Sequence, residues 1–380
     1  MTKTILINPH DPVVARDGRP FGLGTRMKSL PWIYPSVLAG SLRTMIGKEV
    51  LNGDAQWKGI IPDLKAVEVA GPFLSNVEQI FLPAPKDLLV KEEEVSKKRE
   101  KIRLKPMDNL PDDCGCDLPH KDLFPLEITE DFKPADAPVF WSMEKMTEWL
   151  SDPDSFEVPP PETVENRHKH FFYSIPQEER IHVKIEPGSQ TAEDGQLYAT
   201  VGLRLDEGIS LVAGARSAKE RLSGVLDRLD RHHPLGGERR LSHWKTVDGD
   251  SLWNVPDPVA GKLDQTDQIR MVLATPAIFN DGWKPGWLGD DLCGTPPGCS
   301  NLKMKLVSAI VDRWRPISGW DYETLGPKPV RRMVPAGSVY FLKVIEGKQE
   351  ELPRSLWLQS VCDDEQDRRD GFGLSVWGVW

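Results

Sequence analysis

Cysteine is scarce in this chain. Five residues among 380, Cys114, Cys116, Cys293, Cys299 and Cys362, are too few to staple a fold and suit a reducing cytoplasm. No apolar run approaches the roughly 18–20 residues that a membrane span requires. The opening MTKTILINPH has no apolar signal region and reads as a first β-strand, so a cytoplasmic protein without a membrane partner is expected. A Walker loop, H-E-x-x-H and G-x-S-x-G are all missing, which removes common signatures of nucleotide hydrolysis, zinc proteolysis and serine hydrolysis. Cys114, Cys116 and His120 lie close together, but zinc takes four ligands and C-x-C lacks the usual spacer. Free cysteines, no metal and no cofactor are the expectation.

Excess positive charge is also lacking: 48 Lys and Arg face 58 Asp and Glu, a net −10. The deficit is local. Residues 106–165 hold 16 acidic and 3 basic residues, and the remainder carries 42 acidic and 45 basic, a balance of +3. Phosphate binding responds to local potential, so the acidic total does not exclude a nucleic-acid partner.

Strand and helix patterns alternate, which predicts an α+β fold. Thr4–Ile7 reads as a strand, followed by a Gly/Arg-rich loop and a helix over Ser36–Leu51 with Ser36 as cap and Leu38, Leu42, Met45 and Ile46 as core stripe. Val67–Leu74 and Gln79–Pro83 follow as strands. Residues 86–165 read as a large charged insertion, with a helix expected to run from Glu92–Glu94 into the basic run ending at Lys105. Val139, Phe140, Trp141, Met143, Met146 and Trp149 are able to anchor a further helix. Ile181–Ile185 and Leu197–Leu205 read as a long hairpin, Gly208–Ala215 as a strand and Ser217–Asp230 as a helix. Arg239–Val247, Arg270–Phe279, Leu302–Trp314, Val330–Val344 and Gly371–Trp380 are later strands. A strand–helix–strand–strand opening in each half predicts two tandem ferredoxin-like (RRM-like) modules, over 1–190 and 191–380.

Four constellations carry the candidate site. The first is the loop holding Arg16, Arg19, Gly22, Gly24 and Arg26, whose glycines admit phosphate close to backbone N–H groups. The helix after it places Ser36, Gly40, Arg43 and Gly47 on one face. The second is a helical face with Arg221 and Arg228, followed by Gly236, Gly237, Arg239 and Arg240, with Trp244 as a base-stacking candidate. The third is Lys328, Arg331 and Arg332 near Trp320. The fourth is Gly371 and Gly373, at alternate positions of the last strand. Each also reads as ordinary structure: a tight turn, a glycine-packed helix, a solvated charged face. Catalytic signals are thin. His10-Asp11 lacks partner histidines for a metal phosphohydrolase, and Gly289-Asp290-Asp291 sits in a loop. His232 and His233 offer an acid and a base for RNA cleavage without a visible general-acid partner.

At these positions the chain resembles a known family. DPVVARDGRPFGLGTRMKSLPWIYPSVLAGSLRTMIG resembles the opening of the third subunit of type III-B (Cmr) CRISPR effector complexes. LGGERR, LATPAIFNDGW, PISGWD, KPVRRMVPAGSVYF and GFGLSVWGVW resemble its later blocks, in the same order. The resemblance implies a RAMP protein of ferredoxin-like modules, without catalysis of its own. It further implies binding of the 5′ handle of the CRISPR RNA, docking on the large cyclase-bearing subunit, and contact with the first backbone RAMP subunit. Two other readings stay open: a RAMP-type endoribonuclease processing precursor CRISPR RNA, and a scaffold that touches only protein.

Overall fold

The computed structural model describes residues 2–16, 29–52, 57–76, 78–110, 115–128, 130–163, 165–321, 323–347 and 351–380. Helix and strand are mixed, at 18% and 37% of the chain, so the α+β expectation holds. The chain forms two compact units. Unit one comprises Met1–Glu78, Ile175–Gly249 and Pro316–Arg331, and unit two Gln79–Ser174, Asp250–Arg315 and Arg332–Trp380. The expected break at 190/191 instead falls in the turn of a hairpin inside unit one. No helix among the described residues is long and apolar enough to cross a membrane.

Unit one begins with β1 (Lys3–Pro9), α1 (Pro35–Leu51), α2 (Trp57–Lys65) and β2 (Glu68–Ser75). Farther along, unit two contributes β3 (Ile80–Pro83), β4 (Leu88–Glu92), β5 (Arg99–Arg103), β6 (Phe140–Ser142), α3 (Met143–Ser151) and β7 (Phe171–Phe172). The chain then returns to unit one with β8 (Gln177–Ile185), β9 (Ala192–Leu203), β10 (Ser210–Arg216), α4 (Glu220–Leu226), β11 (Asp230–Pro234) and β12 (Leu241–Val247). In unit one the strands run in the order β11-β12-β1-β10-β2, and every pairing is antiparallel. If β1, β2, β10 and β12 are numbered one to four, their order is four-one-three-two.

Alternation along these strands divides the sheet into two faces. Ile5 and Ile7 of β1 and Trp244 of β12 are fully buried. Thr246 shares a face with Trp244 and donates to the Leu226 carbonyl at the end of α4 (2.6 Å), so this is the helix side. The predicted stripe of α1, Leu38, Leu42, Met45 and Ile46, is buried. The N-terminus of α1 departs from expectation: Pro35 opens the first turn and Tyr34 is the N-cap, so Ser36 lies inside the helix and caps nothing. The helix predicted over Ser217–Asp230 shrinks to α4, because Asp230–Pro234 pairs with β12 instead.

Unit two continues with α5 (Asp257–Leu263), β13 (Gln268–Leu273), β14 (Cys293–Gly294) and β15 (Lys303–Ile310). Short strands β16 (Arg315–Ile317), β17 (Trp320–Asp321), β18 (Gly326–Pro327) and β19 (Arg331–Met333) follow along the chain, β17 pairing with β18. Then come β20 (Val339–Glu346), α6 (Glu351–Leu356), β21 (Gln359–Ser360), α7 (Glu365–Asp370) and β22 (Leu374–Val379). The main sheet runs β14-β15-β20-β13-β22-β21. Its four long strands, numbered in chain order and taken from the β22 edge, again give four-one-three-two. The connection from β13 to β15 contains no helix, whereas that from β20 to β22 contains α6 and α7.

The charged stretch expected as an insertion in the first module belongs to unit two. Its basic run is a strand, not a helix: β4 and β5 form a hairpin with Val90 buried and Lys97 in the left-handed region at the turn. Trp141, Trp149 and Phe156 form an aromatic cluster that fixes α3, with Trp141 stacked on Phe156 at 5.0 Å. Beside it the fully buried Arg270 pairs with the fully buried Asp87.

Candidate nucleic-acid interface

The segment Asp11–Arg16 leaves β1 and is clamped from two sides within unit one. Val13 exchanges two backbone hydrogen bonds of 2.8 Å with Leu203 of β9. The Val14 carbonyl accepts the Gly237 N–H at 2.7 Å, from the turn between β11 and β12. That turn requires glycine at 236: its φ is +76°, and a Cβ there would lie 2.4 Å from the Val14 oxygen. The segment leading into the first constellation therefore meets the turn of the second. A bridge between Arg16 and Ser29 then holds together the ends of the segment between them. Arg19, Gly22, Gly24 and Arg26 lie in that segment, outside the described residues.

The charges around this junction are organised. Asp11 takes Arg180 at 3.4 Å and Arg240 at 3.9 Å. Arg16 and Arg239 are exposed, and Arg239 has no ion-pair partner among the described residues. An aromatic file lies close by. His232 of β11 stacks on His10 at 4.9 Å with 24° between planes, and its other neighbour is His243 of β12 at 5.0 Å. His243 is held by Asp230 through a 2.6 Å hydrogen bond, and Lys245 reaches the same carboxylate at 3.2 Å. The Leu241 carbonyl, next to Arg240, accepts the His10 N–H at 3.0 Å.

Several predicted contacts are already committed to the chain itself. Trp244 is fully buried, with its indole N–H donated to the His233 carbonyl at 3.1 Å, and offers no ring to a base. Gly237 spends its N–H on Val14. Arg43 donates to the Val67 carbonyl (2.7 Å from Nη2), and Arg221 donates to the Val50 carbonyl. The small face of α1 is open only at its start: Gly40 is exposed with no neighbour near its Cβ position, whereas Gly47 is packed under Trp57 and Leu64. Arg228 is exposed but follows α4, which ends at Leu226, so the expected helical face with Arg221 does not form.

In unit two, Gly371 and Gly373 precede β22 and are buried. Gly371 terminates α7 at φ +90°, and a Cβ on Gly373 would lie 2.6 Å from the Cys362 sulfur. They serve packing rather than an RNA backbone. Arg332 lies over the Trp314 ring at 5.1 Å, beside a pocket of about 410 Å³ that both residues line. Lys328 and Arg331 belong to unit one and are exposed.

The acid–base pair suggested by His232 and His233 does not exist, because adjacent strand residues point to opposite faces. His232 is exposed, and His233 is buried on the helix side. Burial, with help from Lys48 and Arg231, pushes the His233 pKa down to about 4. Among the described residues no group of three or more His, Cys, Asp or Glu is arranged to hold a metal; Cys114 lies outside them and Cys116 is exposed. Two features were not expected from the sequence. One is the histidine file, whose members come together only through strand register. The other is a row of exposed apolar residues on the β8–β9 hairpin, Ile181, Val183, Ile185 and Leu197; its signal is the i, i+2 alternation of apolar residues in β8.

One family model, that of CRISPR-associated protein Cas_Cmr3, matches the chain over residues 5–380. The chain belongs to the Cmr3 family. Members of this RAMP-type family are subunits of type III CRISPR effector complexes, and the family is not known as a catalytic one. No curated protein sequence matches the chain. Among solved structures, a chain from the type III-B Cmr-beta complex bound to cognate target RNA is similar at 16% identity. That match covers 89% of this chain and 86% of the other, with a TM-score of 0.47. A chain from a Csm3–Csm4 subcomplex of the type III-A interference complex is similar at 13% identity, covering 91% and 94%, with a TM-score of 0.44.

Proposed function

We propose that this Cmr3-family subunit binds the 5′ handle of the CRISPR RNA without cleaving it. In this reading it docks on the large cyclase-bearing subunit and abuts the first backbone RAMP subunit, in the cytoplasm. The observation that carries the RNA reading is the junction in unit one, where the root of the Gly/Arg loop is clamped by the Gly236–Gly237 turn. There Arg16, Arg239 and Arg240 accompany exposed aromatic rings. Cationic side chains beside a glycine turn suit a phosphate backbone, and exposed rings suit unpaired bases. The four-one-three-two antiparallel order in both sheets supports two ferredoxin-like modules. The modules are then interleaved along the chain rather than tandem. The exposed apolar row on the β8–β9 hairpin is the kind of surface that a neighbouring subunit covers.

The test is a salt titration of binding between the purified chain and a labelled handle RNA. Arg16→Ala and Arg239→Ala should each weaken binding for all sequences and reduce the salt slope by about one. Unchanged affinity and unchanged slope in both would refute the site assignment.

A further inference from the structure

We propose that the His10–His232–His243 file is a stacking platform for one unpaired base of bound RNA, with His10 as the ring that receives it. The proposal deepens the RNA-binding reading and rests on it. The file is built from three strands' worth of chain. His243 and His232 are register partners across β12 and β11, and His10 is brought beside them by its N–H to the Leu241 carbonyl. One end is fixed, because Asp230 holds the His243 ring at 2.6 Å and is itself held by Lys245. The other end is exposed: His10 and His232 are both solvent-accessible, and among the described residues His10 has one ring neighbour, His232.

The rings meet at 24° and 31° between planes, so the surface left for stacking is the outer face of the exposed end ring, His10, and every nucleobase has a matching π-face. The surroundings favour an anion-bearing ligand over an apolar one. Arg240 pairs with Asp11, the residue after His10, at 3.9 Å, and Arg239 is exposed without an ion-pair partner among the described residues. A stacked base would thus have its phosphates near the arginines of the Gly236–Arg240 turn. The same geometry argues against RNA cleavage here. An acid and a base must approach the reacting phosphate from two sides, whereas stacked rings 4.9 Å apart face one another and leave no room between them.

The experiment uses the full chain and a fluorescent single-stranded RNA of the handle sequence, with His10→Ala, His10→Phe, His232→Ala and Arg239→Ala variants. Loss of a stacking partner should weaken binding roughly tenfold in His10→Ala, and His10→Phe should restore most of it, because phenylalanine stacks without charge. Ultraviolet crosslinking of the same RNA should give an adduct on the peptide containing His10 or His232. Equal losses in His10→Ala and His10→Phe would overturn stacking in favour of a charge contact. Normal binding in all three histidine variants, with a loss in Arg239→Ala, would overturn the platform while leaving the RNA-binding reading intact. Absence of binding by the wild-type chain would overturn both. RNA cleavage abolished by His232→Ala would replace the platform with a catalytic site.

Discussion

The Arg270–Asp87 pair makes the sharpest stability prediction. Both side chains are fully buried in unit two. One guanidinium nitrogen donates to Asp87, another to the Trp149 carbonyl, and the Trp149 indole N–H returns to the second Asp87 oxygen at 3.0 Å. The guanidinium also lies 4.8 Å from the centre of the Trp149 ring. Burial lowers the Arg270 pKa and Asp87 pulls it back up, the behaviour of a charge tolerated only because its partner is present. Asp87→Asn keeps the shape but leaves a buried cation facing a neutral amide. It should cost about 3–5 kcal/mol, the usual penalty for orphaning a buried charge. Arg270→Met removes the cation while the carboxylate keeps the Trp149 indole donor, so its cost should be smaller. The double variant Asp87→Asn, Arg270→Met should be less destabilised than the sum of the singles by at least 1–2 kcal/mol, roughly the coupling expected for neighbours in one network. Urea unfolding followed by tryptophan fluorescence reads all three, since Trp149 is part of the network. An Asp87→Asn variant within about 1 kcal/mol of wild type, a loss typical of ordinary substitutions, would refute the reasoning.

Three further predictions concern His233, the Gly236–Gly237 turn and Cys362. His233 has its pKa lowered to about 4 in the folded chain against roughly 6.5 unfolded, so the unfolded state takes the proton first as pH falls. The stability this provides is present above about pH 6.5 and is lost progressively toward pH 4, on the order of 2 kcal/mol; His233→Gln should flatten that dependence in denaturation at stepped pH. Gly236→Ala should destabilise unit one by about 1–3 kcal/mol and weaken RNA binding, because its φ is positive and its Cβ meets the Val14 oxygen. Gly237→Ala should be mild, its Cβ finding only ordinary contacts at 3.5 Å; equal effects of the two would count against the clamp. The Cys362 thiol, buried and pushed up to about 12, should resist a thiol reagent under native conditions, while exposed Cys116 reacts at once; rapid labelling of Cys362 would contradict its packing against Ile278 and Gly373.

Periodicity located most elements, since each core stripe depends only on neighbours along the chain. The α1 stripe and the β8–β9 hairpin lie where the apolar spacing puts them. The failures are places where a distant partner decides. Ser217–Asp230 has leucines at helical spacing, yet its last residue pairs with Lys245 and starts a strand. The basic run after Glu94 has helix-forming residues, yet Arg99–Arg103 pairs with β4 and turns at Lys97. Interleaving of the units was not legible because neither composition nor linkers mark the passages between them. The glycine and arginine clusters marked two loops whose described residues the fold brings together, without showing which donors the chain uses itself. Gly237 and Arg43 satisfy its own carbonyls. Trp244 shares a face with Thr246, and that face is covered by helix. The histidine file needed the register of three segments.

The most direct test of the central claim is photo-crosslinking in the assembled effector complex, with a photoreactive nucleotide placed in turn at each position of the guide RNA 5′ handle. Adducts on this chain within Asp11–Arg16 and Gly236–Arg240 are predicted. Adducts confined to other subunits, with none on this chain, would contradict it.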